Sequence, residues 1–191
     1  MKNSNNLVQN QIAKESIFTA LMILMDQKKF TEITVTEVTR RAGVSRMAFY
    51  RNYDQLEDII TNFLEEYFQT CSKQLINKSF DNYEGVLLYF ASFRKQKNLI
   101  INLINSNLSD LIYKSSVEFF QSFSEHIICN RNPSYIQSAY HTEYIIGGLY
   151  RVLIKWAQNG MVESDEDIAK MISHLMVSST PVFSILPTAN T

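Results

Sequence analysis

Two helix-start signals separated by a glycine lie between Thr34 and Tyr53, in TVTEVTRRAGVSRMAFYRNY, and they constrain the chain more than any other feature. Thr34 and Glu37 have the Ser/Thr-x-x-Glu spacing of a capping box, in which the threonine oxygen and the carboxylate each take an amide donor at a helix start. The helix that begins there must be short. Gly43 follows after barely two turns, and glycine adopts the positive φ of a helix C-cap at the least cost. Ser45 then offers its hydroxyl to a second N-terminus, with Val44 as the apolar peg between the helices. Two short helices about a Gly-Val-Ser turn make a helix-turn-helix, whose second helix enters the DNA major groove with its N-terminal residues nearest the bases. That face holds Arg46, Met47 and Tyr50, with Arg51 and Asn52 close by.

Charge is polarised toward this end. Residues 1–56 carry eight Lys and Arg against five Asp and Glu, or +3, which leaves −4 for the remainder of a chain whose net charge is −1. Such asymmetry suits phosphate contact at one end of the molecule only.

The segment TVTEVTRRAGVSRMAFYRNYDQLEDII resembles the signature of the tetracycline-repressor (TetR) family: a threonine-capped helix, an Ala-Gly-Val-Ser turn, and a recognition helix ending in a tyrosine and a second aromatic. Ile17, Ala20, Leu24 and Phe30 stand where that family's first helix keeps its apolar stripe, and GGLYRVLIKWAQNGM looks like its penultimate helix. The resemblance implies a DNA-binding head over residues 1–53 and a larger ligand-binding and dimerisation body over 54–191. It also implies that Thr36, Ser45, Tyr50 and Asn52 meet the DNA backbone. Arg46 and Met47 are the candidates for reading bases, and Arg51 can serve either role. One departure stands out. The family commonly has a phosphate-binding lysine where this chain has Leu56.

The rest of the sequence predicts helices throughout. With 46% hydrophobic residues and only five glycines and three prolines, Pro133, Pro181 and Pro187, the chain has long stretches without a breaker, so the expected class is all-α. Ile12, Ala13, Ile17, Ala20, Leu21 and Leu24 line one face of a first helix from about Val8 to Lys28. Asp54 and Glu57 repeat the capping spacing ahead of a long helix through Leu75, which couples head to body without a flexible linker. Further helices are expected near Tyr83–Lys95, Leu99–Ile104, Leu108–Ile128 and Ser134–Asn159, with a last one opened by Ser164 and Asp167. Gly147 and Gly148 lie inside the penultimate helix, where close approach of another helix is the preferred explanation.

The body is rich in rings. Aromatics at helical spacing form either packed core or the lining of a cavity, and Phe90, Phe93, Phe120 and Tyr144 are the candidates for an effector pocket. By resemblance, the last two helices pair with those of a twin, which makes Gly148, Leu153, Trp156, Met171 and Leu175 candidates for the dimer face; an intrachain core is the alternative. No catalytic or metal-ligating constellation emerges. His126, His141 and His174 are far apart, Cys71 and Cys129 lack metal or redox spacing, and no Gly-rich phosphate loop occurs. No cofactor is expected. A polar N-terminus and the absence of a long apolar run predict a cytoplasmic protein with no membrane partner. The function expected is a ligand-responsive one-component transcriptional regulator, taken as a repressor, that binds a pseudo-palindromic double-stranded operator as a homodimer and answers to an unknown small molecule. The alternatives are a co-regulator of the same architecture that has lost DNA binding, and a small-molecule-binding protein.

Overall fold

A computed structural model describes residues 2–73, 82–127 and 135–178, and every regular element among them is helical. The first helix, α1 (Lys2–Met25), starts earlier than the apolar periodicity alone indicates because no glycine or proline interrupts the chain before Gly43. Its buried face is Ile17, Ala20, Leu21 and Leu24. Ile12, expected on that face, is 57% exposed, and Leu7 and Val8 are exposed with it, so among the described side chains full burial in α1 begins at Ile17.

A 3-10 turn at Phe30–Glu32 leads into α2 (Val35–Ala42), which is closed at both ends by the predicted chemistry. Thr34 Oγ1 accepts from the Glu37 amide at 3.3 Å, and the Glu37 carboxylate accepts from the Thr34 amide at 3.0 Å. At the other end Gly43 takes φ +68°, while its amide and that of Val44 return to the carbonyls of Arg40 and Thr39. This pair of bonds is a Schellman motif, and it turns the chain into α3 (Arg46–Tyr50). Phe49 seals the unit: it is fully buried against Tyr53, while its neighbour Tyr50 faces outward.

The connector α4 (Leu56–Lys73) is capped differently from the expectation. The carboxylate that reaches back belongs to Asp58 and not Glu57; its Oδ2 accepts from the amides of Asp54 and Gln55 at 2.9 and 3.0 Å. The body consists of α5 (Asn82–Lys95), α6 (Lys97–Asn105), α7 (Ser109–Ile127), α8 (Tyr135–Gln158) and α9 (Asp165–Ser178). α7 packs on α4, α6 and α8, while α9 lies along α5. One continuous core runs from Ile17 and Phe49 in the head through Ile60, Leu64 and Phe68 of α4 to Tyr89, Phe93, Leu103 and Leu153 in the body.

Ser164 caps α9 as expected, accepting from the Asp167 amide at 3.1 Å, and Gly160 with φ +79° follows the end of α8. The two glycines within α8 behave otherwise. A Cβ at Gly147 or Gly148 would meet nothing within 4 Å, so among the described residues no other helix approaches closely there. The Asn132-Pro133 break, Leu75, Cys129 and the tail after Thr180 lie outside the described residues, as do the side chains of Phe119, Phe120, Phe123, His126 and His141. Among the described residues no helix is long and apolar enough to cross a membrane.

Candidate nucleic-acid interface

Three of the candidate residues share one solvent-facing surface on α3. Ser45 ends the turn and caps the helix, its Oγ accepting from the Ala48 amide at 3.1 Å. Because that hydroxyl fixes the helix start, Arg46 and Met47 leave the first turn into solvent; Met47 is 75% exposed. Tyr50 lies one turn on, 50% exposed, and the Arg46 guanidinium sits 5.9 Å from its ring centroid. This contact holds the arginine along the helix face, reducing the conformational freedom it would lose on meeting a base. Thr36 on α2 and Arg51 after α3 are exposed beside this face, as are Arg40 and Arg41.

Asn52 is placed elsewhere. Its Nδ2 donates to Asn10 Oδ1 at 3.0 Å and to the Ala48 carbonyl at 2.9 Å, so both amide hydrogens are used inside the protein. Its observed contacts tie the end of α3 to α1. Sequence spacing gave no signal of this, since Asn10 and Asn52 come together only when the head folds. Leu56 is half-buried against the core, and the adjoining Asp54, Glu57 and Asp58 make the start of α4 acidic.

The base of the unit is held by an ionic contact. Lys28 Nζ donates to the Glu37 carboxylate at 2.7 Å and to the Glu32 carbonyl at 2.8 Å, joining the end of α1 to the start of α2. That Lys28 hydrogen bond, followed by those from Thr34, lowers the Glu37 carboxyl from the usual range to about 2. The sign follows from linkage: a carboxyl depressed in the folded state stabilises it fully above the unfolded value near 4.5, and this contribution is lost as pH falls through about 2. Lys28→Met is therefore expected to raise the Glu37 carboxyl toward 4.5, and to destabilise the head above pH 4.5 while leaving it nearly unchanged below pH 2, so that its stability falls less on acidification. Carboxyl-resolved NMR titration measures the first effect and acid denaturation the second.

Of the body residues singled out from sequence, Phe90, Phe93 and Tyr144 do not come together as one cavity. Phe90 and Phe93 are fully buried; Phe90 meets the Trp156 ring edge-on at 5.5 Å, and Phe93 packs on Phe68 and Tyr89 at 4.8 and 4.7 Å. Tyr144 is 68% exposed on α8, which separates it from those rings. The core does hold polar groups, with Tyr89 and Ser116 hydroxyls paired at 3.0 Å and the Tyr67 hydroxyl donating to the Ser92 carbonyl at 2.9 Å.

The candidate dimer residues also divide. Leu153 and Trp156 belong to the chain's own core, at 0% and 2% exposure, with Trp156 packed on Phe90 of α5; neither is presented to a second copy. Gly148, Met171 and Leu175 are exposed. On α8, Tyr140, Tyr144, Gly148, Arg151 and Lys155 are exposed at helical spacing and form one outward stripe.

The family described as a transcriptional regulator C-terminal region, of the TetR type, matches residues 81–178, just over half of the chain. No curated protein matches the sequence. Among solved structures, Lin0861 from Listeria innocua superposes with a TM-score of 0.72 at 13% identity, covering 90% of this chain and 92% of its own. The transcriptional regulator FadR from Bacillus subtilis, solved in complex with stearoyl-CoA, gives 0.63 at 14% identity over 86% and 97%. A tetR-family transcriptional regulator from Streptomyces coelicolor gives 0.59 at 12% identity over 86% and 81%. These likenesses extend over head and body alike, and at such identity they speak for the fold.

Proposed function

Since the chain belongs to the TetR family of transcriptional regulators, we propose that it is a ligand-responsive repressor that binds a pseudo-palindromic operator as a homodimer in the cytoplasm. The observation that carries the DNA half is the Ser45-capped helix α3 with Arg46, Met47 and Tyr50 facing outward from a head of surplus positive charge. The head is residues 1–53 and the body 54–191. Arg46 and Met47 read bases, Thr36, Ser45 and Tyr50 meet phosphates, and Arg51 reaches either. Asn52 contributes by holding α3 against α1.

Homodimerisation is supported by the outward stripe on α8 together with Met171 and Leu175 on α9. Gly148 has open space around it, so a second copy could approach the α8 backbone closely there. Two-fold pairing would set the α3 helices about one DNA turn apart, roughly 34 Å, and thereby require a palindromic site. α4 is the transmitter, because its core-facing residues belong to the one core that joins head and body, so a change in its tilt moves one against the other.

Selection of bound duplexes from a random library tests DNA binding and operator symmetry together; an enriched palindrome is expected, and no enrichment would favour a co-regulator. On the selected operator, Arg46→Ala should cost about 1–3 kcal/mol and relax preference at one position per half-site, as loss of a bidentate guanine contact does. Binding isotherms on operator and random duplexes check this. Equal weakening on both would make Arg46 a phosphate anchor.

A further inference from the structure

A groove of ≈ 480 Å³ runs between α1 and α4, where the head meets the connector, and none of the roles assigned above uses it. Its size falls within the ~300–1,000 Å³ of small-molecule sites. Both helices build its aromatic wall. Phe18 of α1 stacks on Phe63 of α4 with centroids 3.9 Å apart and planes at 12°, and Tyr67, one turn along α4, continues the parallel series at 6.0 Å and 9°.

Tyr53 lines the same groove at only 5% exposure, and among the described residues no hydrogen bond engages its hydroxyl. No buried polar side-chain atom among the described residues lacks a partner, so this hydroxyl still meets solvent in the groove, and a ligand that displaces that solvent must offer it an acceptor atom. Burial first, then the Glu66 carboxylate, push this phenol up to about 12, so at neutral pH it is a donor. The charged lining residues are Lys14, Glu15 and Glu66, a surplus of one negative charge. Lys14 bridges the groove to Glu66 at 3.1 Å, leaving Glu15, which accepts from Gln11, as the excess carboxylate.

We propose that the α1–α4 groove is a binding site for a small, flat aromatic cation carrying a hydrogen-bond acceptor, and that its occupancy alters how the head is held on α4. Aromatic walls beside a negative rim favour a cation through the ring quadrupoles and the carboxylates together. An anion would meet two carboxylates against one ammonium, and an aliphatic ligand would leave the Tyr53 hydroxyl unsatisfied. The effect on DNA rests on the regulator function proposed above; the site itself does not. A ligand wedged between the two helices changes operator affinity only by binding one head orientation better than the other, with each tenfold change equal to ~1.4 kcal/mol of coupling.

Fluorescence titration of the full chain, without DNA, with N-ethyl-6-methoxyquinolinium, neutral 6-methoxyquinoline and naphthalene-2-sulfonate tests the site with rings of one size and three charges. The expected result is saturable binding of the quinolinium, at least about tenfold tighter than the other two. Tyr53→Phe and Glu66→Gln should each weaken it by about three- to tenfold, the first without loss of thermal stability since the ring remains. Thr19→Trp, placed on an exposed wall position, should fill the groove and abolish binding. Equal affinity for all three probes, or binding unchanged in Thr19→Trp, would overturn the site. Quinolinium binding that leaves affinity for the selected operator unchanged would overturn the coupling. A chain that binds the quinolinium but enriches no duplex would leave the site standing and remove the regulator function.

Discussion

A chain carrying Met171→Glu and Leu175→Glu is expected to sediment as a monomer at micromolar concentration and to lose operator binding with dimerisation. The two side chains are 50% and 55% exposed and one turn apart on α9, while the adjoining Ile168, Ala169 and Ile172 are buried in the chain's own core. Glutamates at the exposed positions therefore leave each subunit folded. In a two-fold dimer every substitution occurs twice beside the same axis, so four carboxylates would be brought together and desolvated, at a cost of several kcal/mol each when unpaired. A separated head binds one half-site, and loss of the linked second contact lowers affinity by on the order of 10²–10⁴. Leu153→Glu would not make the same test. Leu153 is fully buried, and a carboxylate there would unfold the body before it separated subunits. Sedimentation equilibrium and fluorescence anisotropy on one preparation measure the two losses; a double variant that stays dimeric would place the interface elsewhere.

The head was legible in sequence because its signals are local. Thr34 and Glu37 are three residues apart, Gly43 follows within the same helix, and Ser45 lies three residues before the amide it caps, so short-range chemistry fixes the helix-turn-helix before any tertiary contact forms. Periodicity likewise separated Phe49, which is buried, from Tyr50, which is exposed. The body was legible as helices and much less so as a surface. Leu153 and Met171 are both apolar residues on periodic stripes, and only packing decides that the first is buried in the core while the second faces water. Phe90 and Phe93 were candidate pocket residues for the same reason, since a ring at helical spacing carries no mark of whether its neighbours fill the space around it. Contacts across long separations left no trace at all. Asn10 with Asn52, and Phe18 stacked on Phe63, depend on how α1 crosses α3 and α4.

Arg94 is a further residue of that kind, and its removal should cost the body about 2–4 kcal/mol. From α5 it reaches the α8–α9 loop and, 71 positions away, Asp165 at the start of α9, with Nε donating to that carboxylate, Nη1 to the Met161 carbonyl at 3.0 Å and Nη2 to the Glu163 carbonyl. Its guanidinium also lies 4.5 Å from the Trp156 ring centroid, while the indole Nε1 donates to the same Glu163 carbonyl at 3.2 Å. The loop it holds needs holding: Met161 is a non-glycine residue at φ +53°, a conformation that persists only when its surroundings fix it. Hydrogen bonds to a charged group contribute ~1.5–3 kcal/mol each, but they share one cation whose side chain is 33% exposed, so solvent screening reduces the sum well below three full bonds. Arg94→Ala should accordingly lower the melting temperature by about 6–12 °C for a chain of this size. Arg94→Lys should recover less than half of that, because an ammonium cannot present three donors in a planar fork while stacking on the indole. Urea unfolding checks both variants, and a lysine chain as stable as wild type would reduce the cluster to a simple charge pair. Since α9 begins at Asp165 and carries Met171 and Leu175, loosening this clamp should also weaken subunit association, to a smaller degree than the paired glutamates and without adding any charge to the interface.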